Sequence, residues 1–149
     1  MTDAKLSKFP HFFNFIVGFV DKLLVYLYGE RNRNMITIEE VKTFLGQFNI
    51  KAQVFGILFR DDRPKNVKAL LELEITNIQR ELIVKNLLPE DYVAGPLIDK
   101  LNKQREIWVF GKDVKGRDVY IKITLGYENG QTICISFHIA EHPLEYPFK

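Results

Sequence analysis

The chain has 149 residues, and its 46% hydrophobic and 27% charged content is typical of one globular domain and excludes collagen, coiled coils, disordered tails and multi-span membrane proteins. A single cysteine excludes a disulfide framework and a cysteine-based zinc site, so we expect a cytoplasmic protein. Residues 1–34 hold five of the 21 basic and three of the 19 acidic residues, which leaves 16 of each, so any affinity for nucleic acid requires a local patch.

The first segment, Phe12–Tyr28, is strongly apolar. Asp21 and Lys22 interrupt it and Gly18 weakens it, so it falls short of the roughly 18 apolar residues of a transmembrane helix. No small-residue cleavage site follows the apolar run, which argues against a signal peptide. One interpretation is a helix that docks on the domain or lies at a membrane surface, although we expect no stable membrane association.

A second interpretation is that residues 1–34 are not part of the working protein. Met35 stands directly before a clean helix start, and Gly29–Arg31 is what a purine-rich ribosome-binding sequence encodes. We therefore hypothesise that residues 1–34 are a hydrophobic extension produced by a start assigned too early, and that the domain spans residues 35–149.

The elements after Met35 have recognisable start and stop signals. Thr37 with Glu40 three residues later is a capping box, which predicts a helix through Phe48. A second capping box at Thr76 predicts a helix with a buried stripe of Ile78, Leu82, Ile83 and Leu87. In chain order we predict a strand over Ala52–Phe59, a turn over Arg60–Pro64, helices over Pro64–Leu73 and Asn77–Leu88, and a loop over Glu90–Arg105.

The C-terminal part predicts a three-stranded β-meander over Glu106–Asp113, Arg117–Tyr127 and Gln131–Ile139. Gly116 and Gly130 suit three-residue loops that end in a bulge, a register that pairs Asp113 with Arg117 and Tyr127 with Gln131. This register gathers most Ile and Val side chains on one face. The predicted fold class is therefore α+β, a small antiparallel sheet of the meander and the earlier strand, packed against helices.

The opposite face of the predicted meander combines aromatic, basic and imidazole groups. It carries Trp108, Phe110, Lys112, Tyr120, Lys122, Thr124, Cys134, Ser136 and His138. Flat rings stack bases, ammonium groups neutralise phosphate, and an imidazole moves protons, so this face is typical of single-stranded RNA binding and cleavage. The alternative is a solvated sheet face whose lysines provide solubility and whose aromatic rings are covered by a helix or by the tail.

Several of these residues also resemble the MqsR family of type II toxin–antitoxin toxins. The resemblance covers Met35–Lys149 and rests on Asp91-Tyr92, Ile107-Trp108, the run Gly116–Thr124, Ile135–His138 and the tail Cys134–Phe148. It implies a RelE-like α+β fold and a metal-independent endoribonuclease that cuts messenger RNA and is neutralised by an antitoxin encoded beside it.

By position, the resemblance implies an active-site role for Tyr120 and places His138 where the family has a lysine. Two other polar residues of the family fall on Ala94 and Val109, so this chain departs from the pattern there. We expect His138 or Tyr120 to transfer protons while the RNA 2′-hydroxyl attacks the adjacent phosphate.

Lys122 and Lys112 would stabilise the developing charge, and Trp108, Phe110 and Ser136 would bind the RNA. No metal or cofactor is expected, and the expected partners are messenger RNA and a helix-turn-helix antitoxin. The alternative function is a non-catalytic module that binds RNA or protein with the same fold.

Overall fold

The computed structural model describes residues 35–100 and 105–149. The prediction for residues 1–34, and with it the hypothesis about Met35, lies outside the described residues. Residues 37–149 form one unit of the chain. Its three helices are α1 (Ile38–Phe55), α2 (Pro64–Leu73) and α3 (Asn77–Lys85), and its five strands are β1 (Ile57–Phe59), β2 (Tyr92–Ile98), β3 (Glu106–Val114), β4 (Arg117–Thr124) and β5 (Thr132–Ile139).

The strands form one mixed sheet in the order β1-β5-β4-β3-β2. β1 runs parallel to β5 and every other pair is antiparallel. The α+β fold class is therefore confirmed, but the sheet is not purely antiparallel as predicted. The connection from β1 to β5 spans residues 60–131, and no local pattern in the sequence indicates that these two strands pair.

The capping box at Thr37 is present, because its hydroxyl accepts from the Glu40 N–H and the Glu40 carboxylate accepts from the Thr37 N–H. The predicted end of α1 is wrong, since the helix continues to Phe55 and the strand after it is only three residues long. Ala52 follows Phe48 at helical spacing and is buried with it. Gly56, at φ 80°, ends the helix instead.

The capping box at Thr76 is also present, whereas the buried stripe predicted for α3 is wrong except at Leu87, which is buried but lies beyond the end of the helix. Ile78 and Leu82 are 73% and 54% exposed, and α3 buries Arg80 and Val84 instead. α3 also ends earlier than predicted, at Lys85.

The predicted loop over Glu90–Arg105 contains an edge strand, β2, which pairs with β3. Gly95 and Pro96 indicated a turn, but two register shifts within the pairing accommodate them at the sheet edge. The sheet therefore has an edge strand that the sequence pattern did not predict.

The predicted register is wrong for the first hairpin and is confirmed only in part for the second, because β4 ends at Thr124 and β5 begins at Thr132, so Tyr127 and Gln131 do not pair within the strands. Tyr120 lies opposite His138 and Lys122 opposite Ser136, as predicted. In the first hairpin, however, Arg117 pairs with Val114, so the connection has two residues instead of three. Both of those residues have positive φ, 54° at Lys115 and 79° at Gly116, as a type I′ turn requires.

A one-residue difference in register moves every side chain of β3 to the other face. Trp108 now lies opposite Ile123, Phe110 opposite Ile121 and Lys112 opposite Val119, on the core face. A bulge after Lys122 likewise brings Cys134 opposite Ile123. The core against α1 includes Val41, Phe44, Phe48, Trp108, Phe110, Ile121, Cys134 and Phe137.

Candidate functional site

A groove of about 670 Å³ opens on the face of β4 and β5 that points away from this core. Its floor is formed by two cross-strand pairs of β4 and β5, Tyr120 with His138 and Lys122 with Ser136. One wall is the first turn of α2, residues 63–66, and the other is the tail after β5, which contributes Ala140, Glu141, His142 and Leu144.

The floor combines a phenol, an ammonium group and an imidazole. The rings of Tyr120 and His138 stack with centroids 5.3 Å apart and an interplanar angle of 22°. The Lys122 Nζ lies 5.7 Å from the centroid of the Tyr120 ring. The three side chains are half-buried, so they meet the groove while the strands fix their positions.

The imidazole of His138 has a defined orientation. Its Nδ1 lies 2.9 Å from the carbonyl oxygen of Ile139, a contact that a protonated Nδ1 satisfies by donating. The neutral ring then carries its lone pair on Nε2. This arrangement leaves Nε2 as the ring nitrogen that can accept a proton.

A buried asparagine attaches α2 to β5. The Asn66 side chain is 2% exposed, and its Oδ1 accepts from the Phe137 N–H at 3.0 Å. Its Nδ2 donates to the carbonyl of Ile135 at 3.1 Å and to that of Arg60 at 2.8 Å. These bonds continue the edge of the sheet beyond the short β1, and they place the first turn of α2 beside Ser136.

The two walls of the groove are connected by an ion pair between Lys65 and Glu141. The hydrogen bond from Lys65 lowers the pKa of the Glu141 carboxyl below its ordinary value, and the charge of Lys65 adds to the effect. Both side chains are more than half exposed, so the pair can open at small cost.

The tail beyond the groove is anchored at its end. Phe148 packs on Tyr92 with ring centroids 5.4 Å apart. The Lys149 Nζ lies 3.9 Å from the buried carboxylate of Asp91. The tail therefore has a fixed path, and this path sets the position of the second wall.

The groove brings together Tyr120, Lys122, Ser136 and His138, but not the other predicted site residues. Trp108 is 4% exposed and stacks on Phe44 of α1 at 4.6 Å, and Phe110 is fully buried. Lys112 donates to the Asp91 carboxylate at 2.6 Å on the core side of the sheet. Their predicted placement beside Tyr120 is wrong, because the two-residue turn shifts β3 by one residue.

Sequence reasoning missed the contribution of α2, namely Arg63, Lys65 and Asn66. No pattern in the chain places this helix beside β5, because its position depends on the parallel β1–β5 pair. His142, in the tail after β5, also lines the groove.

Within residues 35–100 and 105–149, no cluster of three or more His, Cys, Asp or Glu side chains is arranged to hold a metal ion. None of the helices described there is both long and apolar enough to cross a membrane. The chain matches no known family model, no curated protein and no solved structure.

Proposed function

We propose that this protein is a metal-independent endoribonuclease that acts in the cytoplasm as the toxin of a type II toxin–antitoxin pair. The observation that carries the proposal is the juxtaposition of Tyr120, Lys122 and His138 in one groove, with the imidazole oriented by its Nδ1 contact. The MqsR-like motifs support the same function, including a helix-turn-helix antitoxin as partner.

The proposed reaction is an internal transfer at phosphorus. The Nε2 of His138 accepts the proton of the RNA 2′-hydroxyl, whose oxygen attacks the adjacent phosphorus. The bond from phosphorus to the 5′-oxygen breaks, and Tyr120 donates a proton to that oxygen. Lys122 stabilises the negative charge that develops on the phosphate oxygens. The products are a 2′,3′-cyclic phosphate and a 5′-hydroxyl end.

The second candidate is a module of the same fold that binds RNA or protein without cutting. The burial of Trp108 and Phe110 favours it, because these rings are not free to stack bases. The ion pair of Lys112 with Asp91 also favours it, because this cation is held away from the groove floor.

The experiment that tests the proposal compares the full-length wild type with His138→Gln and Lys122→Met, and with Lys68→Gln as a control. Lys68 is exposed on α2 and pairs with Glu72 outside the groove. Each protein is induced under tight control while growth and new RNA 5′ ends are followed. The purified proteins are then assayed on RNA in EDTA, and on the same RNA with a 2′-deoxy residue at the cleavage site.

We expect the wild type and Lys68→Gln to arrest growth and to cut RNA in EDTA, but not at the deoxy position. Each groove variant is expected to lose at least about a hundredfold in cleavage rate while keeping its circular dichroism spectrum. Undiminished cutting by the folded His138→Gln protein would refute the assignment. Tight RNA binding by the wild type without any cleavage would favour the binding module.

A further inference from the structure

We propose that the first turn of α2 and the hydroxyl of Ser136 form a phosphate-binding subsite in the groove. The Glu141 carboxylate competes with the phosphate for the Lys65 ammonium group. The assignment of this phosphate to an RNA strand rests on the function proposed above. Phosphate binding itself is independent of catalysis and is tested separately.

The helix α2 begins without the acidic or hydroxyl group that usually satisfies a helix N-terminus. Its first turn contains no acidic residue, and the N-cap Arg63 makes no side-chain capping bond. The positive end of the helix dipole is therefore not neutralised by its own first turn.

In the first turn of α2, one backbone N–H has no hydrogen-bond acceptor within the helix. The N–H of Arg63 bonds to the carbonyl of Arg60 at 3.2 Å, and that of Asn66 bonds to the carbonyl of Arg63 at 3.0 Å. Pro64 has no N–H, so the N–H of Lys65 is left among the four donors that an α-helix does not satisfy internally. Lys65 lines the groove, and an N–H left over at a helix N-terminus is the kind of donor that anions bind.

Ser136 supplies an independent second observation. This residue is only 5% exposed and lines the groove, yet among the residues that the structure describes its hydroxyl has no hydrogen-bond partner. Asn66 bonds to the backbone of Ile135 and Phe137, on both sides of Ser136. The Asn66 bonds thus attach the first turn of α2 to the strand segment that carries this hydroxyl, and both line the same groove.

Positive charge surrounds the same position. Lys65 and Arg63 come from α2, and Lys122 lies opposite Ser136 on β4. Glu141 already places a carboxylate against the Lys65 ammonium group. A phosphate group that enters would exchange with Glu141 for the Lys65 ammonium group, so removing the Glu141 charge should strengthen phosphate binding.

The test is a titration of the full-length protein, followed by amide NMR, with inorganic phosphate, 3′-adenosine monophosphate and adenosine. We expect saturable shifts of the Lys65 and Asn66 amides with both phosphates and no shift there with adenosine. Tighter binding of the nucleotide than of inorganic phosphate would indicate that the groove also contacts the nucleoside.

Four variants make the titration specific. Ser136→Ala and Lys65→Gln should each weaken phosphate binding about fivefold, since each loses a hydrogen bond or a charge at the anion. Glu141→Gln should tighten it about threefold. Lys68→Gln should leave it unchanged, because Lys68 lies outside the groove. The same spectra report whether each variant is folded.

Shifts that scatter over surface lysines, or that are unchanged in Ser136→Ala, would overturn the subsite. Cleavage that depends on His138, combined with no phosphate effect at Lys65, would refute the subsite and leave the proposed function standing. Saturable phosphate binding by a protein that cuts no RNA would support the subsite and refute the proposed ribonuclease function.

Discussion

Gly111 lies directly opposite Tyr120 in the pairing of β3 with β4. A Cβ at this position would stand 2.5 Å from both the Leu144 Cδ1 and the Tyr146 hydroxyl oxygen. The tail after β5 therefore passes close over the sheet only because residue 111 has no side chain. Since Leu144 also lines the groove, this glycine sets the position of the groove wall.

Gly111→Val is expected to lift the tail off the sheet while leaving the core against α1 in place. Amide hydrogen exchange over residues 144–149 should accelerate, and RNA cleavage should fall by roughly tenfold to a hundredfold because the wall is displaced. Gly46→Ala is the matched control, since a Cβ there meets nothing within 4 Å. Unchanged exchange and activity in Gly111→Val would show that the tail does not depend on this glycine.

Trp108 is expected to stabilise the fold and not to contact RNA. Its ring is packed between Phe44 and the sheet, so Trp108→Ala should lower the free energy of unfolding by about 3–5 kcal/mol. Indole fluorescence of the wild type should be insensitive to added RNA and to acrylamide. A Trp108→Ala protein with wild-type stability and weakened RNA binding would contradict the burial.

In the meander, the sequence predicts the strands and one cross-strand register but not the register of the first hairpin. The three strands and the Tyr120–His138 pair follow from alternation and from glycine-containing turns, and the structure confirms them, although β4 ends at Thr124 and not at Tyr127. The first hairpin was predicted wrongly because Gly116 suits both a two-residue and a three-residue connection. The two-residue connection requires a positive φ at Lys115 as well as at Gly116. Lysine has no preference for positive φ, so the sequence does not indicate this turn.

The position of α2 could not be predicted for a different reason. A helix start at Pro64 is a local signal, and it was identified correctly. Its location beside Ser136 depends on the parallel contact of β1 with β5 and on the buried amide of Asn66, which join segments about seventy residues apart. One wall of the groove is therefore positioned by contacts that leave no periodic pattern in the sequence.

In α3 the buried face could not be predicted because it contains a charged residue, Arg80. Arg80 is 2% exposed, donates to the Asp61 carboxylate at 2.6 and 2.9 Å, and lies 4.0 Å above the ring of Phe59. An arginine in this sequence context predicts an exposed face, which is why the predicted stripe consists of Ile78, Leu82, Ile83 and Leu87. The ion pair with Asp61 lets the guanidinium take the buried position instead.

Asp61→Ala is therefore expected to lower the free energy of unfolding by about 2–4 kcal/mol, because it leaves a guanidinium buried without its carboxylate. Urea denaturation measures the change. Asp62→Ala is the neighbouring control, since Asp62 pairs with Arg60 at the surface and should change stability by less than about 1 kcal/mol. Equal effects of the two substitutions would show that the buried pair contributes no more than the exposed one.

Cys134 is expected to be inert in the folded protein. Its side chain is fully buried, and burial raises the pKa of the thiol to about 12. Only about one molecule in ten thousand then carries the thiolate at pH 8, so a thiol reagent such as dithionitrobenzoate should react only after denaturation. Rapid labelling under native conditions would contradict the bulged register that turns Cys134 into the core.

The same raised pKa predicts a pH dependence of stability. Between the ordinary thiol pKa of about 9 and the folded value of about 12, the unfolded chain loses a proton that the folded chain keeps. The free energy of unfolding should therefore fall as the pH rises through this range, by up to roughly 1.4 kcal/mol per pH unit from this group. Cys134→Ala should be less stable near neutral pH but should lack this part of the slope, and parallel urea titrations of the two proteins at pH 8 and pH 10 measure the difference.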